Sequence, residues 1–341
     1  MQAFMLRRRI ILRRVIHILQ LLSCLIVVTF LVLPIIFKFS PWLQTQLVFL
    51  PSVRMPKNTN FSDPSSLGMP FTHNLYLPSK SGVILGVWHV LPASCATAPG
   101  CVDPLLHHPV ILYLHGNTGH RGSDSRVQLY KVLRDLDYNI ITLDYRGFAD
   151  SSDVTPSVSG VVEDALTVYT WLATNHTQII VWGHSLGAGV ATHLVTHLCT
   201  RGERPAGLVL EAPFNNIYDE IRNHHMTWPW RLIPFFSWFF TSPLAENDLA
   251  FINDEKMSVI DDVPLLILHA KDDQVIPVQL GRALHQAALS SRHRGDSTLV
   301  YKEFDTVLGY GHSHIYRDPG LPAIIKQWRA ATSTKNESIK S

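Results

Sequence analysis

The most prominent hydropathy feature of the chain is a run of 23 residues without Asp, Glu, Lys or Arg, from Val15 to Phe37. Arg14 and Lys38 bracket this run, and its few polar residues are isolated. A helix needs about 20 predominantly apolar residues to cross the hydrocarbon core of a bilayer. A cleaved signal peptide has an apolar region of only about 7–15 residues. The pattern therefore predicts one membrane-spanning helix over 15–37.

Beyond residue 70, short apolar runs rich in β-branched residues alternate with longer segments of helical length. The predicted strands are Val83–Val90, Val110–Leu114, Ile140–Leu143, Ile179–Trp182, Leu208–Leu210, Leu265–Leu268 and Thr298–Phe304. The predicted helices are Ser125–Leu136, Gly160–Thr174, Leu186–Cys199 and Val278–Ser290. Continuously apolar strands indicate a mostly parallel sheet that is covered on both faces. The alternation predicts one α/β domain with a doubly wound sheet and functional residues just past the carboxyl ends of its strands.

Composition and spacing divide the chain into five segments. They are a basic tail (1–14), the span (15–37), a linker rich in Pro, Ser and Asn (38–70), the α/β domain (71–331, with an insertion at about 214–263) and a flexible tail (332–341). Hydrophobic residues make up 46% of the chain and charged residues 16%, against the roughly 25% charged residues usual in soluble domains. A net charge of +2 excludes a highly charged nucleic-acid module, and we expect no nucleic-acid partner.

The charge distribution around the span predicts its orientation. Five arginines precede it, whereas only Lys38, Arg54 and Lys57 follow within twenty residues. The positive-inside rule places the N-terminus in the cytosol and everything after residue 38 on the luminal side. N-x-[ST] sequons suit that side, and they lie at Asn60, Asn175 and Asn336.

Four cysteines are too few for a disulfide-built fold, but Cys95 and Cys101 could close a small loop in an oxidising lumen.

A G-x-S-x-G motif follows one predicted strand and opens a predicted helix. Gly183 and Gly187 flank Ser185 at a distance of two residues on each side. In this context the serine occupies a sharp strand-to-helix turn that exposes its hydroxyl, and side chains at the glycines would crowd that turn. The motif predicts that Ser185 is a nucleophile.

A nucleophilic serine also needs backbone N–H donors for the oxyanion that forms when it attacks. One is expected from Leu186, the residue after the nucleophile, and the other from the loop after an earlier strand. His115-Gly116-Asn117-Thr118 supplies that loop, and we assign the second donor to Asn117, with Thr118 as the alternative. His115 is interpreted as a scaffold residue rather than a base.

The acid and the base are expected later in the chain, in the order Ser…Asp…His. Asp272 and Asp273 both follow the strand that ends at Leu268, and Asp273 is preferred because of its spacing from Pro277. Two histidines follow the last strand, and His312 in a Gly-flanked turn is preferred to His314. In this arrangement His312 takes the serine proton while the aspartate fixes its tautomer. No metal or organic cofactor is needed.

The insertion between two predicted strands is rich in aromatic residues. Those that we single out are Trp228, Trp230, Phe235, Phe236, Trp238, Phe239 and Phe240. Together with Pro229 and Pro234 they suit either a cap over an acyl-chain pocket or a patch that touches the membrane. The alternative is that they only pack the insertion onto the sheet.

These motifs resemble the α/β-hydrolase superfamily and, within it, the family of α/β-hydrolase domain-containing protein 12. The segments that carry the resemblance include Gly86–His89, Ile111–Asn117, Asp144–Phe148, Trp182–Gly187, Asn253–Glu255, Pro264–Ala270 and Leu308–Tyr310. The likeness covers about residues 70 to 330. It implies an α/β-hydrolase fold with a helical cap, and the family's nucleophile, acid and base correspond to Ser185, Asp273 and His312.

The resemblance also implies an activity and a location. The family is a single-pass lipase of the endoplasmic reticulum membrane that hydrolyses lysophosphatidylserine and monoacylglycerols, including 2-arachidonoylglycerol. Its lipid substrate and its membrane are therefore the expected partners, and no protein partner is implied. A thioesterase or peptidase on the same triad, or a non-catalytic lipid-binding relative, is the alternative, since the fold alone does not fix the substrate.

Overall fold

A computed structural model describes residues 1–97, 104–176, 178–293 and 296–340 of the chain. Its regular core is an eight-stranded sheet. The strands are β1 (Thr72–Pro78), β2 (Ile84–Val90), β3 (Val110–Leu114), β4 (Asn139–Leu143), β5 (Ile179–His184), β6 (Gly207–Glu211), β7 (Leu265–Ala270) and β8 (Leu299–Phe304). Seven of them match the predicted strands to within a few residues at each end.

The order of the strands in the sheet is β1-β2-β4-β3-β5-β6-β7-β8. Strands β3 to β8 are parallel, while β1 and β2 add an antiparallel edge. The order reverses at β3, so that later strands are added on one side of it and β4 lies on the other. This is the doubly wound, mostly parallel sheet that the sequence predicts.

The described residues contain thirteen α-helices. They are α1 (Gln2–Val27), α2 (Leu33–Phe39), α3 (Pro41–Phe49), α4 (Ala93–Thr97), α5 (Pro104–His107), α6 (Asp124–Asp135), α7 (Val158–Ala173), α8 (Leu186–Cys199), α9 (Ile217–Asn223), α10 (Phe236–Phe240), α11 (Ser242–Glu246), α12 (Val278–Ser291) and α13 (Leu321–Lys340). The four predicted helices correspond to α6, α7, α8 and α12.

The side chains of the central strands alternate between two apolar layers. In β3, Leu112 and Leu114 join a layer with α7 and α8, whereas Ile111 and Tyr113 join a layer with α6 and α13. Because successive residues of a strand point to opposite faces, only a strand that is apolar at every position fills both layers. This explains why the central strands lack the alternating pattern of a half-exposed sheet.

The N-terminal helix is long and apolar enough to cross a membrane, from Phe4 to Phe39. Helices α1 and α2 are continuous through a π-helical turn at Val28–Val32. In that turn Leu33 donates its N–H to the Val28 carbonyl, one residue farther back than in an α-helix. Pro34 follows and has no N–H to offer. The turn therefore leaves the Thr29 carbonyl without a partner from the helix backbone.

The insertion at about 214–263, which we call the cap, provides a hydrogen-bond donor for this carbonyl. The indole Nε1 of Trp230 donates a hydrogen bond to the Thr29 carbonyl oxygen at 2.7 Å. Nearby, the rings of Phe37 and Phe240 lie 5.4 Å apart, and those of Phe39 and Trp238 lie 6.2 Å apart. The cap thus packs against the end of the apolar helix.

Three segments differ from their sequence interpretation. The predicted linker 38–70 contains α3, which buries Val48 and Phe49 in the core, because its apolar residues find a surface that only the folded domain provides. Helix α13 continues to Lys340, so residues 332–340 of the segment that is predicted to be a flexible tail are helical. Strand β1 was not predicted either, because its polar edge residues give no strong apolar signal.

Candidate active site

Ser185 lies in a sharp turn between β5 and α8, with φ 56° and ψ −122°. This backbone conformation is unfavourable for a residue with a side chain and costs on the order of 1–3 kcal/mol. Only glycine fits at positions 183 and 187. A Cβ at Gly183 would collide with the Gly187 carbonyl, and a Cβ at Gly187 would collide with the Leu114 carbonyl. The two glycines therefore allow the strained turn that presents the serine hydroxyl.

The loop after β3 lies directly beside Ser185. A Cβ at Gly116 would stand only 3.2 Å from the Ser185 Cβ, so the backbone of this loop approaches the serine closely. Asn117 follows, and its side-chain Nδ2 donates to the Val48 carbonyl at 3.3 Å, which fixes this residue against α3. Leu186 is the first residue of α8, where a helix leaves its N–H groups without helical partners. The two predicted oxyanion donors thus flank the same serine.

The structure brings the predicted acid and base to Ser185. His312 Nε2 lies 2.9 Å from Ser185 Oγ, and His312 Nδ1 lies 2.7 Å from Asp273 Oδ2. Since Asp273 is an acceptor when ionised, the Nδ1 of His312 carries the proton and Nε2 is free to accept one from the serine. The three side chains form a continuous hydrogen-bonded chain at the carboxyl edge of the sheet.

Asp273 is held in its ionised form. Burial acts to raise its pKa, but hydrogen bonds from His269 and His312 outweigh burial and hold the pKa of Asp273 well below its usual range. Its Oδ1 also accepts the backbone N–H groups of Val275 and Ile276, at 2.8 and 2.9 Å. A buried carboxylate with this many donors remains charged and fixed in orientation.

Two residues outside the triad position the base: His184, which the sequence analysis did not single out, and Asp272, which it considered only as the alternative acid. His184 Nε2 lies 2.8 Å from the His312 carbonyl oxygen, and burial together with the neighbouring His312 lowers the pKa of His184 to about 3. A neutral His184 therefore donates to the backbone of His312. Asp272 accepts the Gly311 N–H at 3.0 Å and ties the same loop down. The two adjacent aspartates thus have different partners: Asp273 binds the imidazole of His312, and Asp272 binds the backbone N–H of Gly311.

Glu211 is a buried carboxylic acid behind the nucleophile. It ends β6, its carbonyl accepts the Ser185 N–H at 2.9 Å, and its Oε2 accepts the Trp182 indole N–H at 3.0 Å. Burial raises the pKa of Glu211 to about 7, although Trp182 and His312 act in the opposite direction. The sequence gives no signal for this residue, because nothing in the strand pattern shows that its side chain turns inward.

The aromatic residues of the cap lie against the anchor helix. Phe236 and Phe240 are buried, with their rings 5.0 Å apart, and the ring of Trp230 lies tilted against that of Phe240 at 5.9 Å. Phe239 contacts both Trp238 and Phe240. Trp228, Phe235 and Trp238 are exposed, at 65%, 77% and 47%. The cap therefore has a packed inner set and an exposed outer set.

The predicted modification sites lie outside this centre. Asn60 is exposed and accepts the Ser62 N–H, and Asn175 is also exposed. The side chain of Asn336 lies outside the described residues, as do Thr177 of the second sequon and Cys101, so the predicted disulfide with Cys95 falls there too.

Comparison with known proteins agrees with this geometry. The family model described as serine aminopeptidase, S33, matches residues 107–257. The lysophosphatidylserine lipase ABHD12 of Danio rerio is 43% identical over 311 residues, which cover 89% of this chain and 81% of the relative. The same-named protein of Mus musculus is 42% identical, over 88% and 77% of the two chains. Protein ABHD12B of Homo sapiens is 34% identical over 82% of each.

Solved structures share the fold at low sequence identity. An α/β hydrolase from Vibrio vulnificus superposes with a TM-score of 0.62 at 15% identity, covering 85% of this chain and 94% of that one. The esterase Pf2001 from Pyrococcus furiosus superposes with a TM-score of 0.56 at 16% identity, covering 82% and 94%. The predicted fold class and the predicted family resemblance are both confirmed. This chain belongs to the ABHD12 family of the α/β-hydrolase superfamily.

Proposed function

We propose that this protein is a membrane-anchored serine lipase that cleaves the acyl ester of lysophospholipids and monoacylglycerols. The observation that carries the proposal is the hydrogen-bonded chain from Asp273 through His312 to Ser185. A serine held by a histidine whose other nitrogen is bound to a carboxylate is equipped for nucleophilic attack on a carbonyl group.

The reaction proceeds in two steps on these residues. Ser185 Oγ attacks the ester carbonyl while its proton moves to His312 Nε2, and the resulting oxyanion accepts hydrogen bonds from the backbone N–H groups of Asn117 and Leu186. The ester C–O bond then breaks, and the glycerol-bearing alcohol leaves with the proton from His312. Water, deprotonated by His312, attacks the acyl-enzyme, releases the fatty acid and restores Ser185. Asp273 stabilises the imidazolium in both steps.

The substrate class rests on the relatives and on the apolar character of the cap. The relatives with 42–43% identity are named lysophosphatidylserine lipases. We extend that substrate to this chain, together with the neutral monoacylglycerols, because both present the same acyl ester of glycerol to the nucleophile.

The exposed aromatic residues of the cap serve as a membrane contact. Trp228, Phe235 and Trp238 are exposed, and Trp238 lies against Phe39 at the end of the apolar anchor helix. Tryptophan and phenylalanine on a surface next to a membrane span suit the interface between head groups and acyl chains. In this position the cap admits a lipid from the bilayer, and its buried Phe236 and Phe240 support that surface from within.

We propose that the catalytic domain lies in the lumen of the endoplasmic reticulum. The five arginines before the span and the sequons at Asn60, Asn175 and Asn336 support this sidedness. The family resemblance supports the organelle.

The test is hydrolysis by the purified full-length chain in neutral detergent micelles. Lysophosphatidylserine, a monoacylglycerol, an acyl thioester and an aminoacyl amide of comparable chain length are compared. We expect turnover of the two glycerol esters at rates well above those of the amide. Faster cleavage of the amide would instead favour the peptidase that the description of the matching family model suggests.

A further inference from the structure

A cavity of about 290 Å³ lies beside the oxyanion loop and is unused by the proposed mechanism. Its lining comes from one segment of the chain before β1 and from the loops after β3 and β4. The lining includes Ser52, Arg54, Lys57, Asn58, His120 and Ala149. A volume of this size is far larger than a single water requires and accommodates a small polar group.

The wall of the cavity is fastened to the loop that reaches Ser185. Gly119 donates its N–H to the Val53 carbonyl at 2.8 Å, and Ser123 Oγ donates to the Met55 carbonyl at 2.6 Å. His120 adds a third tie, from Nε2 to the Pro56 carbonyl at 2.9 Å. Gly116, which approaches the nucleophile, is only three residues before Gly119. The cavity wall is therefore hydrogen-bonded to the same loop whose Gly116 lies beside Ser185.

The charge of the lining is positive. Arg54 and Lys57 are exposed, and the described lining of the cavity includes no carboxylate. The nearest acid along the chain, Asp150 beside Ala149, is already bound by Arg121 at 2.6 and 3.0 Å. Burial lowers the pKa of His120, which leaves it neutral near pH 7. Among the described ion pairs, none involves either Arg54 or Lys57, so both are available to an anion.

We infer that this cavity binds the phosphodiester head group of an anionic lysophospholipid while the acyl ester lies at Ser185. The inference rests on the proposed function and names the part of the substrate that this cavity holds. Arg54 offers a planar pair of donors that fits two phosphate oxygens, and Lys57 supplies a point charge. The Asn58 amide and the Ser52 hydroxyl are neutral donors for a carboxylate farther along the head group. A neutral monoacylglycerol makes none of these contacts.

The experiment compares two esters with the same acyl chain on the full-length chain in neutral detergent micelles. The variant is Arg54→Gln combined with Lys57→Gln. For lysophosphatidylserine we expect kcat/KM to fall about thirtyfold, because charge-assisted hydrogen bonds to the phosphate are lost. For the monoacylglycerol we expect less than about a twofold change. Lys326→Gln, an exposed lysine on α13, is the control for loss of surface charge alone.

The other possible outcomes distinguish failure of the head-group site from failure of the proposed function. Equal losses on both esters, or no loss on either, would overturn the head-group site and leave the lipase proposal intact. A parent protein that hydrolyses neither ester would contradict the proposed function itself. Glycerophosphoserine should compete with lysophosphatidylserine in the parent and much less in the double variant. Equal competition by inorganic phosphate would contradict recognition of a whole head group.

Discussion

At the scale of single residues, the site depends on backbone groups as much as on side chains. The triad follows from motif order, because the G-x-S-x-G turn and the order Ser…Asp…His restrict the candidates to few positions. His184, Asp272 and Glu211 do not follow from the sequence. Their roles depend on which way a side chain turns at the end of a strand, and that direction is set by tertiary packing rather than by local pattern.

The two neighbouring aspartates give a direct prediction. Asp273→Asn should lower kcat by about 10⁴-fold, as loss of the triad carboxylate does in a serine protease, because the amide no longer holds His312 in the required tautomer. Asp272→Asn should cost far less, since this side chain accepts only the Gly311 N–H. Steady-state hydrolysis of a monoacylglycerol measures both, and the reverse ranking would assign the acid to Asp272.

Glu211 gives a prediction on stability. Its pKa in the folded protein is raised from 4.5 to about 7, so the folded state binds more protons than the unfolded state between these values. The free energy of unfolding therefore falls by up to about 3 kcal/mol as the pH rises from 4.5 to 7, because the protonated side chain stabilises the folded state. Glu211→Gln retains an acceptor for Trp182 and should remove this loss. Chemical denaturation of both proteins at pH 5 and pH 8 measures it, and parallel pH dependences would refute the assignment.

At the scale of elements, seven strands and four long helices were predicted from the sequence, whereas β1, α3 and α13 were not. Strands β3 to β7 are apolar at almost every position because both faces of the sheet are covered, and this gives a strong signal. Strand β1 alternates weakly, and α3 is recognisable only once its partners in the core are known. The contact between Trp230 and Thr29 depends on residues 201 positions apart, which no local pattern links.

The exposed part of the cap is the element with the clearest functional prediction. Replacing Trp228, Phe235 and Trp238 by Ser together should slow hydrolysis of a long-chain lysophospholipid in phosphatidylcholine vesicles at least about tenfold, because burial of each side chain at the interface is lost. Hydrolysis of a short water-soluble ester should remain unchanged, since these side chains are exposed and support little of the fold.

Leu289→Ser is the matched control for this variant. Leu289 is 47% exposed, as Trp238 is, but lies near the end of α12. This helix connects the parallel strands β7 and β8, so it runs back toward the amino ends of the strands. Equal slowing of the soluble ester and the vesicle substrate by the triple variant would indicate general destabilisation and contradict a membrane contact.

At the scale of the whole molecule, the orientation of the anchor determines which lipid pool the triad meets. If residues 38–341 lie in the lumen, the catalytic domain in sealed microsomes should resist added protease and lose mass on endoglycosidase treatment. Asn60→Gln should remove the largest share of that mass, because the Asn60 side chain is exposed in the segment before β1. Digestion without detergent, together with the absence of any glycan, would place the domain in the cytosol.

The central claim is that Ser185 is the nucleophile of this hydrolase, and covalent labelling tests it most directly. The full-length chain is treated with a fluorophosphonate, and the modified peptide is identified by mass spectrometry. The account predicts one adduct, on Ser185, with labelling abolished in Ser185→Ala and strongly reduced in a His312→Ala variant, because the hydroxyl then has no base. Undiminished labelling of Ser185→Ala, or an adduct on another serine, would contradict the account.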